Sequence, residues 1–256
     1  MPIHNPAQPG DTITYLTFAA LRAAGPPQPG VLTANVLNRA VEMDGGGGIF
    51  QWHNEAQITA FGGDDDGFIL KPIGAPVDGY WIRLPPDSGA NIAWYGAYPN
   101  GVIDSGPAFT KCDNLIQNTP FNFGPPQLQL EYIYIPGRPA ASQTYQIKTA
   151  VTIQSSVRGL PTQNAGIQIS AQSTFSGPLE YLNLLGNPNM LVLSASNMLV
   201  NANIFTSYRN CTFNFGILPI ANSNNGIEFY QCNFAPSCVI QNAAGFTFGD
   251  FLILNE

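Results

Sequence analysis

Two short stretches near the C-terminus, Arg209-Asn-Cys-Thr-Phe213 and Tyr230-Gln-Cys-Asn-Phe234, share one pattern and lie 21 residues apart. Each places an amide side chain before a cysteine, and a phenylalanine two residues after that cysteine. One step of 21 residues toward the N-terminus leads to Asn189, Met190 and Val192, and a second step leads to Ile169 and Ala171. One step toward the C-terminus leads to Ile253. Such a repeat is typical of a parallel β-helix, whose rungs lie about 4.8 Å apart. The sequence therefore predicts ladders of stacked amides and apolar side chains.

The composition agrees with short strands and excludes several partners. Of 256 residues, 26 are glycine, 22 are proline and only 10% are charged, which favours strands and tight turns over a helical bundle. The net charge is −7, and Arg158 and Arg209 are the only basic residues after Lys148, so no basic stripe exists for nucleic acid. We expect no membrane span and no secretory signal, because no suitable apolar segment is present.

The first ninety residues differ in sequence character from the rest of the chain. The segment from Thr17 to Gly25 predicts a short helix, capped by the threonine and ended by the glycine. The four glycines after Asp44 lead into a strand and no lysine follows closely, so we interpret them as a bulged turn rather than a phosphate loop. The sequence Asp64-Asp65-Asp66-Gly67 lacks calcium-loop spacing and predicts a solvated hairpin turn.

The next segment predicts a helix over residues 105–118. Its apolar residues recur at helical spacing, and either Asp104 or Ser105 can cap it. This stripe consists of Ala108, Phe109, Cys112, Leu115 and Ile116. Because the first rung of a solenoid exposes an apolar end, such a helix is suited to cover it.

Three motifs together carry a family resemblance: Asp44-Gly-Gly-Gly-Gly-Ile-Phe-Gln-Trp52, Gly79-Tyr-Trp-Ile-Arg-Leu84 and Tyr95-Gly-Ala-Tyr-Pro-Asn-Gly-Val-Ile-Asp104. They resemble the N-terminal module and the opening motif, F-G-A-x-x-D-G-x-x-D-D, of pectate-lyase-like β-helix proteins, especially phage tailspikes. Here Asn100 and Ser105 stand where that motif has acids. The resemblance implies an all-β fold: a β-rich module over 1–90, a linker and capping helix over 91–120, and a short right-handed parallel β-helix over 121–256.

The four cysteines, Cys112, Cys211, Cys232 and Cys238, show no metal-ligand spacing. We therefore expect no metal site, and no cofactor is implied. The 21-residue step places Cys211 one rung from Cys232, within the range that a disulfide tolerates. Buried free thiols are the favoured interpretation, and a disulfide remains the alternative.

Acidic residues are sparse in the C-terminal part, which restricts any catalytic site. Arg209, Glu228 and Asp250 fall close to one another in the repeat and form the candidate catalytic set, with turn-capping or surface pairing as the alternative role. Three tyrosines are candidates for stacking on sugars, with ladder or interface roles as the alternative. They are Tyr181, Tyr208 and Tyr230.

We expect a structural role rather than an enzymatic one, because of the order of the modules, the lack of a visible secretory signal and the scarcity of carboxylates. The family resemblance by itself also fits an enzyme, since pectate-lyase-like β-helices often cleave polysaccharide. The resemblance to tailspikes implies a trimeric, tailspike-like component of a phage virion or phage-derived particle, made in the host cytoplasm. The N-terminal module would attach to tail or baseplate proteins, and the β-helix would contact host-surface polysaccharide. Apolar residues near the last rung fit an interface between copies: Phe246, Phe248 and Phe251. The alternatives are a polysaccharide lyase or glycoside hydrolase, and a bacterial carbohydrate-binding or adhesin module.

Overall fold

The computed structural model describes residues 12–29, 31–41, 44–54, 63–118, 130–137, 144–161, 165–186, 191–193, 206–213, 217–220, 227–234, 240–242 and 251–254. The chain divides into two compact units. The first comprises Met1–Asp87 with Ala93–Gly96, and the second comprises Ser88–Ile92 with Ala97–Glu256. No helix among the described residues is long and apolar enough to cross a membrane.

The first unit is built on one five-stranded sheet with the strand order β1-β2-β3-β5-β4. Its strands are β1 (Thr12–Tyr15), β2 (Thr33–Val36), β3 (Gly48–Asn54), β4 (Ile69–Leu70) and β5 (Gly79–Leu84). The β1–β2 pair is parallel, and the other pairs are antiparallel.

Helix α1 (Phe18–Ala23) contributes to the core of this unit. The hydroxyl of Thr17 accepts a hydrogen bond from the amide of Ala20, and Gly25 follows with a φ of 79°. Both ends of the helix therefore match the sequence prediction. Phe18 packs edge-on against Phe50 with ring centroids 5.7 Å apart.

The tetraglycine turn joins β2 to β3, as predicted, and it also holds a buried arginine. The guanidinium of Arg83 donates to the carbonyl oxygens of Gly46, Gly47 and Gly67 at 2.7, 2.6 and 3.2 Å. Its Cζ atom lies 4.5 Å from the ring centroid of Phe50. Burial lowers the pKa of this arginine to about 9. The carbonyls and the aromatic face partly replace the water that the cation has lost.

The aspartate turn is not the solvated hairpin that the sequence predicts, because β4, which follows it, pairs with β5 and not with β3. Asp64 and Asp66 both accept hydrogen bonds from Arg22, at 2.5 and 2.7 Å. The Oδ1 atom of Asp65 accepts three main-chain N–H groups, and its Oδ2 atom accepts the hydroxyl of Tyr95 at 2.7 Å. Burial raises the pKa of Asp65, while these hydrogen bonds oppose the shift. The acids therefore anchor the turn through protein contacts.

The second unit is a solenoid of parallel strands. Its largest sheet has seven strands in the order β22-β19-β16-β13-β10-β7-β6, and the neighbouring sheet has the order β20-β17-β14-β11-β8. The third side is formed by the β15-β12-β9 sheet and the β18-β21 pair. The strands of the largest sheet are β6 (Gly89–Asn91), β7 (Tyr132–Tyr134), β10 (Ser156–Arg158), β13 (Leu179–Glu180), β16 (Thr206–Arg209), β19 (Ile227–Tyr230) and β22 (Phe251–Leu254).

The other strands complete the rungs. They are β8 (Tyr145–Ile147), β9 (Thr152–Ile153), β11 (Ala165–Ile169), β12 (Ser173–Phe175), β14 (Leu182–Gly186), β15 (Leu191–Leu193), β17 (Thr212–Phe213), β18 (Ile217–Ile220), β20 (Asn233–Phe234) and β21 (Ile240–Asn242). Five rungs of three strands follow one another from β7 to β21, and β22 begins a sixth. This arrangement is the parallel β-helix that the sequence predicts.

The 21-residue repeat holds for one step of the solenoid. Arg209 pairs with Tyr230 and Phe213 with Phe234, and the two phenylalanine rings stack with centroids 5.3 Å apart. One rung earlier the offset is 29 residues, because Leu184 pairs with Phe213.

The extrapolated positions therefore need correction. Tyr181, not Asn189, precedes Asn210 in the ladder, and Leu184 takes the place predicted for Val192. Ile169 pairs with Ile147 and Gly186, and Ile253 pairs with Phe229. Asn189 itself lies outside the described residues.

Helix α2 (Gly106–Asn118) lies against the start of the solenoid, where the sequence predicts a capping helix. Phe109 meets Phe175 edge-on at 6.3 Å. The buried carboxylate of Asp113 accepts the amides of Gln154 and Ser155 at 3.1 and 2.8 Å. The helix therefore covers the open end with both apolar and hydrogen-bonding contacts.

The turn at the opening motif forms although Asn100 and Ser105 stand in place of two acids. The Oδ1 atom of Asn100 accepts the amides of Val102 and Ile103, both at 2.9 Å. Asp104 accepts the amide of Gly106, the first residue of α2, at 3.0 Å, while the carbonyl oxygen of Ser105 at the N-cap position accepts the amides of Ala108 and Phe109. The other partners of Asp104 are the amide of Lys148 and the hydroxyl of Thr149.

Cys112, Cys211 and Cys232 are buried, and none of them forms a disulfide within the part of the chain that the structure describes. Cys211 and Cys232 occupy equivalent positions on successive rungs, since the pairs on either side of them share the 21-residue offset. Burial raises the pKa of the Cys211 thiol. Cys238 lies outside the described residues.

Candidate functional site

A column of polar and aromatic side chains runs along the outside of the seven-stranded sheet. The register places Tyr134, Arg158, Glu180, Arg209 and Tyr230 at equivalent positions on five successive rungs. We call these residues, together with Tyr132 on the same side of β7, the outer column.

The alternation along each strand explains why this column faces outward. The residues before its members are apolar or aromatic and fully buried: Ile133, Val157, Leu179 and Tyr208. Successive side chains in a strand point to opposite faces, so the members of the outer column lie on the solvent side. The five in-register strands thus form one ladder of side chains on the solvent face of the sheet and another on the buried face.

The part of the column that comprises Tyr132, Arg158 and Glu180 is held by an ion pair. The Nε atom of Arg158 donates to Oε2 of Glu180 at 2.8 Å, and the two side chains are 44% and 23% exposed. The Cζ atom of Arg158 also lies 4.4 Å from the ring centroid of Tyr132. A guanidinium stacked on an aromatic ring keeps a defined plane, which leaves its other N–H groups oriented for a ligand.

The part of the column that comprises Arg209 and Tyr230 repeats the stacking of a guanidinium on a tyrosine ring. Arg209 is exposed, and its Cζ atom lies 5.7 Å from the ring centroid of Tyr230, which is partly exposed. Glu180 pairs in register with Arg209 on one side and Arg158 on the other. The column therefore alternates cation, anion and cation between tyrosine rings.

The predicted catalytic set is only partly described. Arg209 lies in the outer column. The main chain of Glu228 is part of β19, where it pairs with Ser207 and Leu252, two positions before Tyr230. Asp250 lies outside the described residues. The acid that the register brings beside Arg209 is Glu180.

The three tyrosines predicted to stack on sugars lie in three different environments. Tyr230 belongs to the outer column. Tyr181 is partly exposed at a corner of the solenoid, with a φ of 56°. Tyr208 is 0% exposed inside the solenoid, and burial raises its pKa. Tyr208 therefore belongs to the core and offers no ring face to a ligand.

Sequence reasoning missed Tyr132, Tyr134, Arg158 and Glu180 as site residues. A signal was present, because Tyr134, Arg158 and Glu180 follow one another at intervals of 24 and 22 residues, close to one rung. A search for the fixed 21-residue step does not detect them.

The outer column contains groups suited to binding an extended polar chain. Tyrosine rings pack against the apolar faces of a ligand, while guanidinium and carboxylate groups bond to its polar groups. Within the described part of the chain, no group of three or more histidine, cysteine, aspartate or glutamate residues is arranged to hold a metal ion.

Comparison with known proteins identifies the fold. No family profile and no curated protein sequence matches the chain. Among solved structures, it is similar to the tailspike protein of Acinetobacter phage vB_ApiP_P1, with a TM-score of 0.54, 13% identity, and coverage of 91% of this chain and 40% of that one. The chain has a tailspike-like parallel β-helix fold.

Two further tailspikes give similar values. For the enzymatically active domain of tailspike protein 4 from bacteriophage CBA120, the TM-score is 0.53 at 13% identity, covering 89% of this chain and 32% of that one. For gp49 of Acinetobacter baumannii bacteriophage Fri1, a capsular polysaccharide depolymerase, it is 0.52 at 11% identity, covering 92% and 50%. The chain thus spans half or less of the length of these tailspikes, and the likeness concerns the fold.

Proposed function

We propose that this chain is a tailspike-like component of a phage or phage-derived particle, and that its outer column binds host-surface glycan. The observation that carries the proposal is the row of stacked tyrosine, arginine and glutamate side chains on the outside of the solenoid. It extends over four rung spacings, about 19 Å, which suits an oligosaccharide better than a single sugar.

The surroundings of the column support a ligand of this kind. The neighbouring outward positions on the second sheet are uncharged: Asn183, Thr212 and Asn233 follow one another in register. These positions of the second sheet thus carry neither charge nor aromatic ring, whereas a chain molecule running along the solenoid axis over the seven-stranded sheet would meet both.

Binding to a polysaccharide is the direct test. The purified chain is applied to an array of bacterial capsular polysaccharides, and dissociation constants are measured for those that it retains. Saturable binding to at least one polysaccharide is expected. Retention of none of them would contradict the proposal.

We also propose an assembly for the particle: a homotrimer attached to virion tail or baseplate proteins through residues 1–90. Residues 91–120 would form the linker and cap, and residues 121–256 the exposed β-helix. A first unit with its own sheet and core supports separate roles for the two parts. Light scattering should give a mass near three times 27.5 kDa. A stable monomer would exclude the trimer.

A depolymerase is the second candidate function, because one protein with a similar fold is a capsular polysaccharide depolymerase. In this alternative, Arg209, Glu228 and Asp250 would act on a bound polysaccharide as a lyase or hydrolase belonging to the pectate-lyase-like superfamily. The test is release of reducing ends or unsaturated products by the wild-type chain and by Glu228→Gln. Activity retained by the variant would remove Glu228 from the site.

A further inference from the structure

The outer column contains every basic residue that the sequence has after Lys148. These are Arg158 and Arg209, and the register places them two rungs apart with Glu180 between them. In a chain with a net charge of −7, the outer face of the seven-stranded sheet therefore carries two cations with one carboxylate between them.

We propose that the outer column selects acidic glycans in which carboxylated sugars alternate with neutral ones. This inference rests on the proposed function, since it names the class of glycan that the same column would take. The two guanidinium groups would bind carboxylates, and Glu180 would accept hydroxyl groups of the neutral sugar between them.

The arginines retain the capacity for this role. Arg158 uses its Nε–H on Glu180, and its guanidinium carries further N–H donors. Both side chains are exposed, and each lies over a tyrosine ring, at 4.4 Å for Arg158 and 5.7 Å for Arg209. A guanidinium held in this way can bind a carboxylate through two parallel hydrogen bonds.

The spacing argues for alternation. Two rungs separate the arginines, about 10 Å along the solenoid, and the position midway is occupied by a carboxylate. A polymer with a carboxylate on every sugar would bring one of them against Glu180, and like charges at that distance repel. A glycan with a neutral sugar at that point avoids the repulsion.

The test compares charged and neutral forms of the same polysaccharides. The full 256-residue chain is titrated with capsular polysaccharides that contain uronic acids, in their native form and after chemical reduction of the carboxylates to alcohols. Binding about tenfold tighter to a native form with alternating acidic sugars is expected, and the difference should shrink with added salt. Equal affinity for native and reduced forms would overturn the inference while leaving glycan binding intact. Binding to neither form would overturn both.

Two variants and one control locate the effect. Arg209→Gln should lose about tenfold in affinity for the native form and little for the reduced form. Lys111→Gln removes the same charge from the exposed side of α2, outside the column, and should change neither affinity. Glu180→Gln should improve binding to polygalacturonate, which has a carboxylate on every sugar. Equal losses for Arg209→Gln and Lys111→Gln, or no gain for Glu180→Gln, would contradict this assignment.

Discussion

Gln231 occupies the position that Asn210 has one rung earlier, and both residues adopt the left-handed backbone conformation, with φ values of 50° and 52°. Tyr181 holds the same place one rung before, with a φ of 56°. This column of left-handed residues turns the chain from the seven-stranded sheet into the neighbouring sheet. Asn210 and Gln231, two members of the amide ladder that the sequence predicts, are thus corner residues, and Tyr181 takes the place predicted for Asn189.

The corner conformation can be tested at Gln231, whose side chain is exposed. A β-branched residue is strained at positive φ, so Gln231→Val should lower the free energy of unfolding by about 1–2 kcal/mol. Gln231→Gly should be no less stable than the wild type, because glycine tolerates this conformation. Denaturant titration measures both values, and equal stability of the two variants would contradict the assigned corner.

The tetraglycine turn predicts a severe effect at Gly47. A Cβ atom added there would lie 2.1 Å from the carbonyl oxygen of Leu37, and main-chain atoms cannot move away cheaply. Gly47→Ala should therefore cost about 3 kcal/mol of stability. Gly74→Ala is the control, because Gly74 has a φ of 73° but no atom within 4 Å, and it should cost about 1 kcal/mol. Similar losses for both would show that the close approach is wrong.

The cap formed by α2 depends on Asp113. Asp113→Ala would leave the amides of Gln154 and Ser155 without their acceptor, and we expect a loss of about 2–4 kcal/mol. Asn114→Ala changes an exposed neighbour on the same helix and should have little effect. Thermal unfolding compares the two variants. If Asp113→Ala matched Asn114→Ala, the helix would not be held to the solenoid through this carboxylate.

A pH dependence is expected at Asp104. Burial acts to raise its pKa, but hydrogen bonds from Thr149, Lys148 and Gly106 outweigh burial and lower the pKa below its usual value. The folded state therefore favours the carboxylate. Its contribution to stability is fully present above the ordinary aspartate pKa, about 3.9, and is lost as the pH falls through the lowered folded value.

Asp104→Asn should accordingly be less stable than the wild type at pH 7, and the difference should decrease toward pH 2. Unfolding free energies at several pH values measure this change. A difference that stayed constant over the whole range would contradict the lowered pKa.

Much of the fold was predictable because the repeat and the helix stripe depend on local spacing. The prediction failed where the rung length changed: the step from Leu184 to Phe213 is 29 residues, and a fixed period cannot anticipate a longer rung. Insertions in solenoids map to loops and leave the strand stacking intact. The 21-residue step was therefore valid between β16–β17 and β19–β20 and not beyond them.

The candidate site was harder to predict, because an error of one residue in the position along a strand moves a side chain to the opposite face of the sheet. Tyr208 and Tyr230 are 22 residues apart while their strands are offset by 21, so one is buried and the other lies outside. Arg209 was predicted as a site residue because it lies about one repeat before Glu228 in the sequence. Glu180 needed the register that places it next to Arg209. The buried Arg83 had no sequence signal beyond the glycines that surround it.

The central claim, that glycan binds along the outer column, is tested most directly by removing the two rings over which its arginines lie. The dissociation constant for a polysaccharide that the wild type retains should rise about tenfold or more in Tyr132→Ala/Tyr230→Ala, since truncating an aromatic anchor typically costs more than 1 kcal/mol. Tyr98→Ala removes a partly exposed ring outside the column and should leave affinity unchanged. Unchanged affinity in the double variant, with the fold intact, would contradict the account.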